Sequence, residues 1–216
     1  MKDRRPICYT EHTMISKTTL VSLYVDKCFS MNEIAVQLGC TNNQVVYWML
    51  KHNIERRSIS EAIYRKRNPN GDPFKMKSIS TIRDAELLGM GIGLYWGEGN
   101  KLNRHSVKLG NTDPGVIKVF IKFLIEICGI DENKLKYSLQ IFSDIDQDEA
   151  LDYWIKELNT DASKFSKVTV TPSGSIGTYK KKSKYGVLIV YFHNYKLRDI
   201  IVKMCRDSSV GRAHAW

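Results

Sequence analysis

The side chain with the clearest chemical potential is Glu98, which ends a glycine-rich helical segment at residues 84–99. Within this segment, Gly89, Gly93 and Gly97 recur at every fourth position and therefore form one bare stripe. Each glycine inside a helix costs about 1 kcal/mol relative to alanine, so the stripe needs a compensating contact. A second helix packed backbone to backbone would provide one. We interpret these three glycines as a helix-pairing interface.

Pairing two copies of this helix would bring the two terminal carboxylates close together. Like charges at short range repel each other unless cations lie between them. Hard divalent cations such as Mg²⁺ prefer oxygen ligands, and they stabilise the charge that develops during phosphodiester cleavage. Glu98 is therefore the candidate catalytic residue and metal ligand.

The nine residues from Gly91 to Gly99 resemble the signature motif of the LAGLIDADG homing endonuclease family. The likeness extends over about residues 83–205, and only the nine-residue motif is specific. The signature residues retained in this chain are Gly93, Leu94 and Gly99. Where the signature has its first Asp, its small Ala and its final Asp, this chain has Trp96, Gly97 and Glu98.

The resemblance carries expectations about fold and chemistry. In this family two motif helices pack together, saddle-shaped antiparallel sheets straddle double-stranded DNA, and each motif contributes one acidic residue to metal binding. Carried over, this implies that Glu98 binds Mg²⁺, assisted by the carbonyl of Gly99. Because the chain holds one motif, the resemblance implies a homodimer on a partly palindromic target.

A second informative stretch, residues 31–50, predicts two short helices joined by a tight turn. Ile34, Ala35 and Leu38 share one helical face, and Gly39 can adopt the left-handed conformation that ends a helix. Thr41 followed by Gln44 forms a capping box that starts the next helix, from which Val45 and Trp48 pack back. The pattern resembles the helix-turn-helix of recombinase and sigma-factor type DNA-binding domains.

The outward face of the second helix predicts contacts to DNA. Amide side chains can pair with adenine edges, and lysine can reach phosphate. An ordinary helix pair with no DNA partner is the alternative, which the basic surroundings disfavour. The predicted DNA-binding residues on this helix are Asn42, Asn43, Val46, Tyr47 and Lys51.

A lysine run lies between the last two predicted strands, and tyrosines flank it. Such a run either grips phosphates or forms a solvated hairpin tip. In the first case one of these lysines also stabilises the charge of cleavage, as a central lysine does in the LAGLIDADG family. The lysines concerned are Lys180, Lys181, Lys182 and Lys184.

Composition narrows the partner class. The chain carries 33 Lys and Arg against 23 Asp and Glu, a net charge of +10, which attracts polyanions. The longest apolar runs, residues 87–97 and 185–192, are too short to span a membrane. Five cysteines without a CxxC pair argue against structural zinc and disulfides, so we expect a cytoplasmic protein.

The chain is predicted to be an α+β protein, with an N-terminal all-α helix-turn-helix followed by a mixed α/β LAGLIDADG-like domain. The prolines around Asn70-Gly71 indicate a break. We predict a DNA-binding domain at 1–67, a linker at 68–82, an endonuclease-like domain at 83–206 and a disordered tail at 207–216. Helical periodicity appears at 114–128, 148–158 and 195–205, and strand alternation at 106–111, 134–142, 166–171 and 186–193.

Three functions fit these features. The first is a sequence-specific DNA-binding protein that cuts DNA as a metal-dependent, homing-type endonuclease. The second is a transcriptional regulator with the same architecture and no cleavage, as in some bacterial sporulation regulators that join a LAGLIDADG-like domain to a helix-turn-helix. The third is a purely structural dimerisation module, which the N-terminal pattern disfavours.

Overall fold

The structure is a computed structural model that describes residues 14–173 and 183–213, the side chains of 208–213 excepted. The chain divides into two compact units, Met1–Gly71 and Asp72–Trp216. The division falls within the predicted linker at 68–82, yet part of that linker belongs to the second unit. The backbone N–H of Lys75 donates to the carbonyl of Cys128 at 3.0 Å, and that of Lys77 to Ile127 at 2.8 Å.

The first unit is helical. Its helices are α1 (Lys17–Leu20), which continues as a π-helical stretch over Val21–Asp26, then α2 (Met31–Leu38), α3 (Asn42–Lys51) and α4 (Ile59–Arg67). The two short helices predicted over residues 31–50 are thus confirmed as α2 and α3, and α1 and α4 lie on either side of them along the chain. A small core holds them together, with Leu20, Ile34, Val45 and Met49 fully buried.

The second unit mixes helices with a four-stranded sheet, as predicted. Its elements are α5 (Ile82–Glu98), β1 (Val107–Asn111), α6 (Pro114–Lys122), which continues as a π-helical stretch over Phe123–Ile127, β2 (Lys136–Phe142), α7 (Gln147–Leu158), β3 (Thr169–Thr171), β4 (Val187–Phe192) and α8 (Tyr195–Ala213). The alternation and periodicity in the sequence therefore placed these elements within a few residues of their observed positions, except for the end of α8.

The sheet has the strand order β1-β4-β2-β3. β4 pairs antiparallel with both β1 and β2, whereas β2 and β3 run parallel. The sheet is therefore mixed, and it differs in this pair from the antiparallel sheet that the family resemblance implies. The physical reason is the connection, because α7 lies between β2 and β3, and a parallel pair needs such a crossover.

Alternation along the strands sends one set of side chains into the core. Val107 and Leu109 of β1, with Leu188 and Val190 of β4, are fully buried against residues of the helices. The fully buried Trp154 of α7 joins this core, and its indole N–H donates to the carbonyl of Tyr185 at 2.8 Å. The helices and the sheet thus share a single core in this unit.

The last helix is longer than predicted. We predicted that it ends near residue 205 and that a disordered tail begins at 207, whereas α8 continues to Ala213. The added residues include no proline, and extending an existing helix is far easier than nucleating a new one. Residues 214–216 of the predicted tail lie outside the described chain. Among the helices that the structure describes, none combines the length and apolar character needed to cross a bilayer.

Candidate nucleic-acid interface

The turn between α2 and α3 is fixed by local hydrogen bonds at both helix starts. At α2, Ser30 and Glu33 cap each other, with the Ser30 N–H donating to Glu33 Oε2 at 2.7 Å. At α3, the Thr41 N–H donates to Gln44 Oε1 at 2.8 Å, and the Gln44 N–H donates to Thr41 Oγ1 at 3.3 Å. The capping box predicted for α3 is thus confirmed.

Gly39 ends α2 in the left-handed conformation, with φ of 62°, as the sequence predicts. Gly39 and Cys40 form the turn that leads from α2 to Thr41 at the start of α3. Ile34 and Ala35 are buried at this crossing, whereas Leu38 is 36% exposed and lies at the edge of the contact. Backbone geometry and caps therefore hold α3 at a defined orientation to α2.

The outward face of α3 carries the predicted DNA-contacting side chains. Asn42, Asn43, Tyr47 and Lys51 are exposed, and Val46 is half-buried. Lys51 Nζ lies over the Tyr47 ring, 5.7 Å from its centre, so a cation and an aromatic ring lie together near the end of the helix. Four of the five predicted side chains are thus exposed.

Leu50 belongs to this face although the sequence analysis did not include it. It follows Asn43 by seven residues and Tyr47 by three, which places all three on the side opposite the buried Val45 and Met49. Leu50 is 66% exposed. Its apolar character suggested a core position, but its spacing from Asn43 was the signal that could have identified it. Apolar side chains in this position can contact thymine methyl groups.

Two of the basic residues that follow α3 are occupied within the unit. The Arg57 guanidinium stacks on the Tyr24 ring at 3.9 Å and donates to the carbonyls of Cys28 and Phe29 at 3.1 Å and 2.9 Å. Arg65 donates to Glu61 at 2.9 Å. These contacts brace the helices, so the basic side chains that remain for phosphate are the exposed Lys51, Arg56, Lys66 and Arg67.

In the second unit, the glycine stripe of α5 is open. Gly89, Gly93 and Gly97 are exposed, and a Cβ added at any of them would meet no atom within 4 Å in the described part of the chain. Large apolar side chains flank the stripe, with Met90 50% exposed and Trp96 45% exposed. The stripe is therefore free of packing contacts within the described part of the chain.

Gly91 has the opposite environment, which the sequence did not distinguish from the stripe. A Cβ at Gly91 would lie 2.1 Å from Cγ of Phe123, a fully buried side chain. This glycine therefore permits the close approach of α5 to the π-helical stretch after α6. The four glycines within α5 thus split into one for internal packing and three that face outward.

Glu98 is the last residue of α5, and its side chain is exposed. The next residue, Gly99, has an extended backbone, and Asn100 N–H donates to the carbonyl of Lys108, so α5 leads directly to the edge of β1. Within the described residues, no group of three or more His, Cys, Asp or Glu side chains could hold a metal ion. Mg²⁺ keeps several waters and takes one or two carboxylates, and Glu98 offers one exposed carboxylate at this end of α5.

The sheet presents a polar face that the sequence analysis missed. The strand registers align Lys108 of β1, Tyr191 of β4 and Lys136 of β2 in one row across the sheet. Lys108 Nζ lies 5.3 Å from the centre of the Tyr191 ring. The centres of the Tyr191 and His193 rings are 5.0 Å apart. Burial, and then the charge of Lys108, lower the pKa of His193.

Further polar residues continue this face along the strands. Ser138 and Gln140 alternate with buried residues of β2, and Thr169 of β3 pairs with Gln140. We call the six residues Lys108, Lys136, Ser138, Gln140, Thr169 and Tyr191 the open sheet face. Their alternation with core residues was visible in the sequence, but the strand order that gathers them was not.

The predicted lysine run is only partly within the described chain. Lys180, Lys181 and Lys182 lie outside it. Lys184 Nζ lies 3.1 Å from Glu149 Oε1 and 4.8 Å from the centre of the Tyr185 ring. Hydrogen bonds with Tyr185 and Glu149 raise the pKa of Lys184, so this charge is partly compensated by its own chain.

No family model, curated protein or solved structure matches this chain. The resemblance to the LAGLIDADG family therefore rests on the nine-residue motif and stays a prediction. The same holds for the helix-turn-helix type.

Proposed function

We propose that the protein binds a specific sequence in double-stranded DNA and that α3 enters the major groove. The observation that carries this proposal is the presentation of α3, capped at its start and fixed by the Gly39 turn, with Asn43, Tyr47 and Leu50 facing outward. Amide, aromatic and apolar side chains can read base edges, and Lys51 beside them can contact phosphate. The net charge of +10 supports attraction to a polyanion.

The second unit contributes a further DNA contact through the open sheet face. Its lysines, Lys108 and Lys136, flank an aromatic ring in one row, and hydroxyl and amide side chains follow along the strands. A twisted sheet with such side chains can lie along a groove while its lysines contact phosphate. This surface also accords with the sheet-mediated DNA contact that the family resemblance implies.

The protein acts as a homodimer in this proposal. The open stripe of Gly89, Gly93 and Gly97 permits the α5 helices of two chains to approach backbone to backbone. The exposed Met90 and Trp96 beside the stripe would be buried by the same contact. A two-fold dimer matches two related half-sites in the DNA.

Pairing through α5 brings together Glu98 of both chains, and we propose that the dimer cleaves DNA there. When bound, Mg²⁺ would supply charge stabilisation at the scissile phosphate. The chain's own part is to place one carboxylate per protomer at the end of a rigid helix, beside the edge of the sheet that lies along the DNA. The resemblance adds the Gly99 carbonyl as a second candidate ligand.

A transcriptional regulator without cleavage is the second candidate. The observation that favours it is the small donor set at the end of α5, where Glu98 has no cluster of further metal-ligating side chains among the described residues. A dimer with this surface would bind DNA through α3 and the open sheet face in the same way. The two candidates differ only in the chemistry at Glu98.

Cleavage of a selected binding site distinguishes them. The duplex recovered by binding-site selection is incubated with the protein and Mg²⁺, alongside Glu98→Gln and the matched variant Glu86→Gln, which removes an exposed carboxylate elsewhere on α5. The endonuclease predicts cutting by the wild type and by Glu86→Gln, and no cutting by Glu98→Gln at unchanged DNA affinity. Tight binding without cutting by any of the three proteins would contradict the endonuclease and support the regulator.

A further inference from the structure

A small cavity lies between the C-terminal end of α5 and α8, with a volume of about 170 Å³. Three cationic side chains line it: Lys101, Arg198 and Arg206. Tyr95 and Trp96 form its aromatic wall, and no acidic side chain in the described part of the chain lines it. Such a concentration of positive charge around a partly open cavity favours an anion.

Two of these cations are held in position by the backbone. Lys101 Nζ donates to the carbonyl of Trp96 and lies 5.2 Å from the centre of the Trp96 ring. Arg198 Nη2 donates to the carbonyl of Lys101, and its Nη1 contacts Asp199 at 2.9 Å. Because both side chains are already ordered, binding of a ligand costs the protein less conformational entropy.

Arg198 also retains a buried donor. Its Nε has no hydrogen-bond partner among the described residues, and an unpaired buried donor is unfavourable. Guanidinium groups match the geometry of phosphate oxygens better than any other side chain does.

We propose that this cavity binds a phosphate group. Pockets that enclose a drug-sized ligand measure roughly 300–1,000 Å³, so a cavity of about 170 Å³ suits a small tetrahedral anion. The phosphate belongs either to the DNA backbone or to a free phosphate in solution. The site is independent of α3 and of Glu98, so it stands or falls apart from the proposed function.

The first test uses inorganic phosphate as the probe. Full-length protein is titrated with phosphate at constant ionic strength, with binding followed by isothermal calorimetry. The variants are Lys101→Gln and Arg206→Gln, and the matched control is Lys203→Gln, which removes an exposed charge from α8 outside the cavity. We expect saturable binding that weakens at least about tenfold in each cavity variant and stays unchanged in the control. Thermal unfolding verifies that each variant is folded.

The second test uses the selected DNA duplex. A lost phosphate contact lowers the slope of log affinity against log salt by about 0.9. If the source is the DNA backbone, Arg206→Gln lowers the slope by that amount and Lys203→Gln does not. An unchanged slope with saturable phosphate binding assigns the cavity to a free phosphate.

The two proposals fail in different ways. No saturable phosphate binding, together with a DNA slope that Lys101→Gln and Arg206→Gln leave unchanged, would overturn the phosphate site while specific DNA binding persists. The opposite outcome is a wild-type protein that binds phosphate, loses that binding in the cavity variants, and binds no DNA duplex specifically. It would support the phosphate site and reject the proposed function.

Discussion

Replacing Gly91 by alanine is the sharpest probe of how α5 is packed. The added Cβ would lie 2.1 Å from Cγ and 2.3 Å from Cδ2 of the buried Phe123 ring, so the ring or the helix has to move. Overpacking of this kind costs about 1–3 kcal/mol, and a contact this short belongs at the upper end. Alanine returns about 1 kcal/mol of helix propensity. We therefore expect Gly91→Ala to lower the free energy of unfolding by about 2 kcal/mol.

Gly93→Ala is the matched control, two residues further along the same helix. Its added Cβ meets no atom within 4 Å in the described chain, so only the propensity gain of about 1 kcal/mol remains. The two variants are thus predicted to shift stability in opposite directions. Urea unfolding followed by circular dichroism measures both, at protein concentrations low enough to keep the chain monomeric.

Two results would refute this reasoning. Gly91→Ala as stable as the wild type would mean that α5 does not contact Phe123 in the observed register. A destabilised Gly93→Ala monomer would mean that the stripe is covered within the chain and is unavailable to a second molecule.

Three further predictions follow from individual contacts. Thr41→Ala removes the side-chain cap of α3 and should destabilise the first unit by about 1 kcal/mol in calorimetry. Lys51→Gln should lower the salt slope of DNA binding by about 0.9 without changing the selected sequence. The ammonium of Lys77 donates to Asp84 and lowers the pKa of that carboxyl. This ion pair therefore stabilises the folded chain above the ordinary carboxyl pKa, and the stabilisation is lost as pH falls through the lowered value. Asp84→Asn should therefore unfold with a weaker dependence on acidic pH than the wild type.

Much of the fold follows from local signals in the sequence. The pair Thr41–Gln44, together with Gly39, specifies the turn between α2 and α3, because helix caps and left-handed glycines act within a few residues. The strands likewise follow from the alternation of core and surface side chains, as in β2 and β4. These features depend on neighbours along the chain, and the sequence displays such neighbours directly.

The remaining features depend on contacts between distant segments. Gly91 and Gly93 look alike in the sequence, and only the position of Phe123 separates the packed glycine from the open ones. Lys108 and Lys136 flank Tyr191 because β4 lies between β1 and β2, an order that alternation does not encode. The cationic cavity was also beyond prediction, since it joins the end of α5 to a helix about a hundred residues later.

Binding-site selection from a random duplex library tests the central claim most directly. At moderate salt, with Mg²⁺ withheld, we expect the wild-type protein to enrich one sequence composed of two related half-sites, and Asn43→Ala or Tyr47→Ala to alter the enriched bases. Retention of DNA with no enriched sequence, or an enriched sequence that both variants leave unchanged, would contradict the assignment of α3 as the DNA-reading helix.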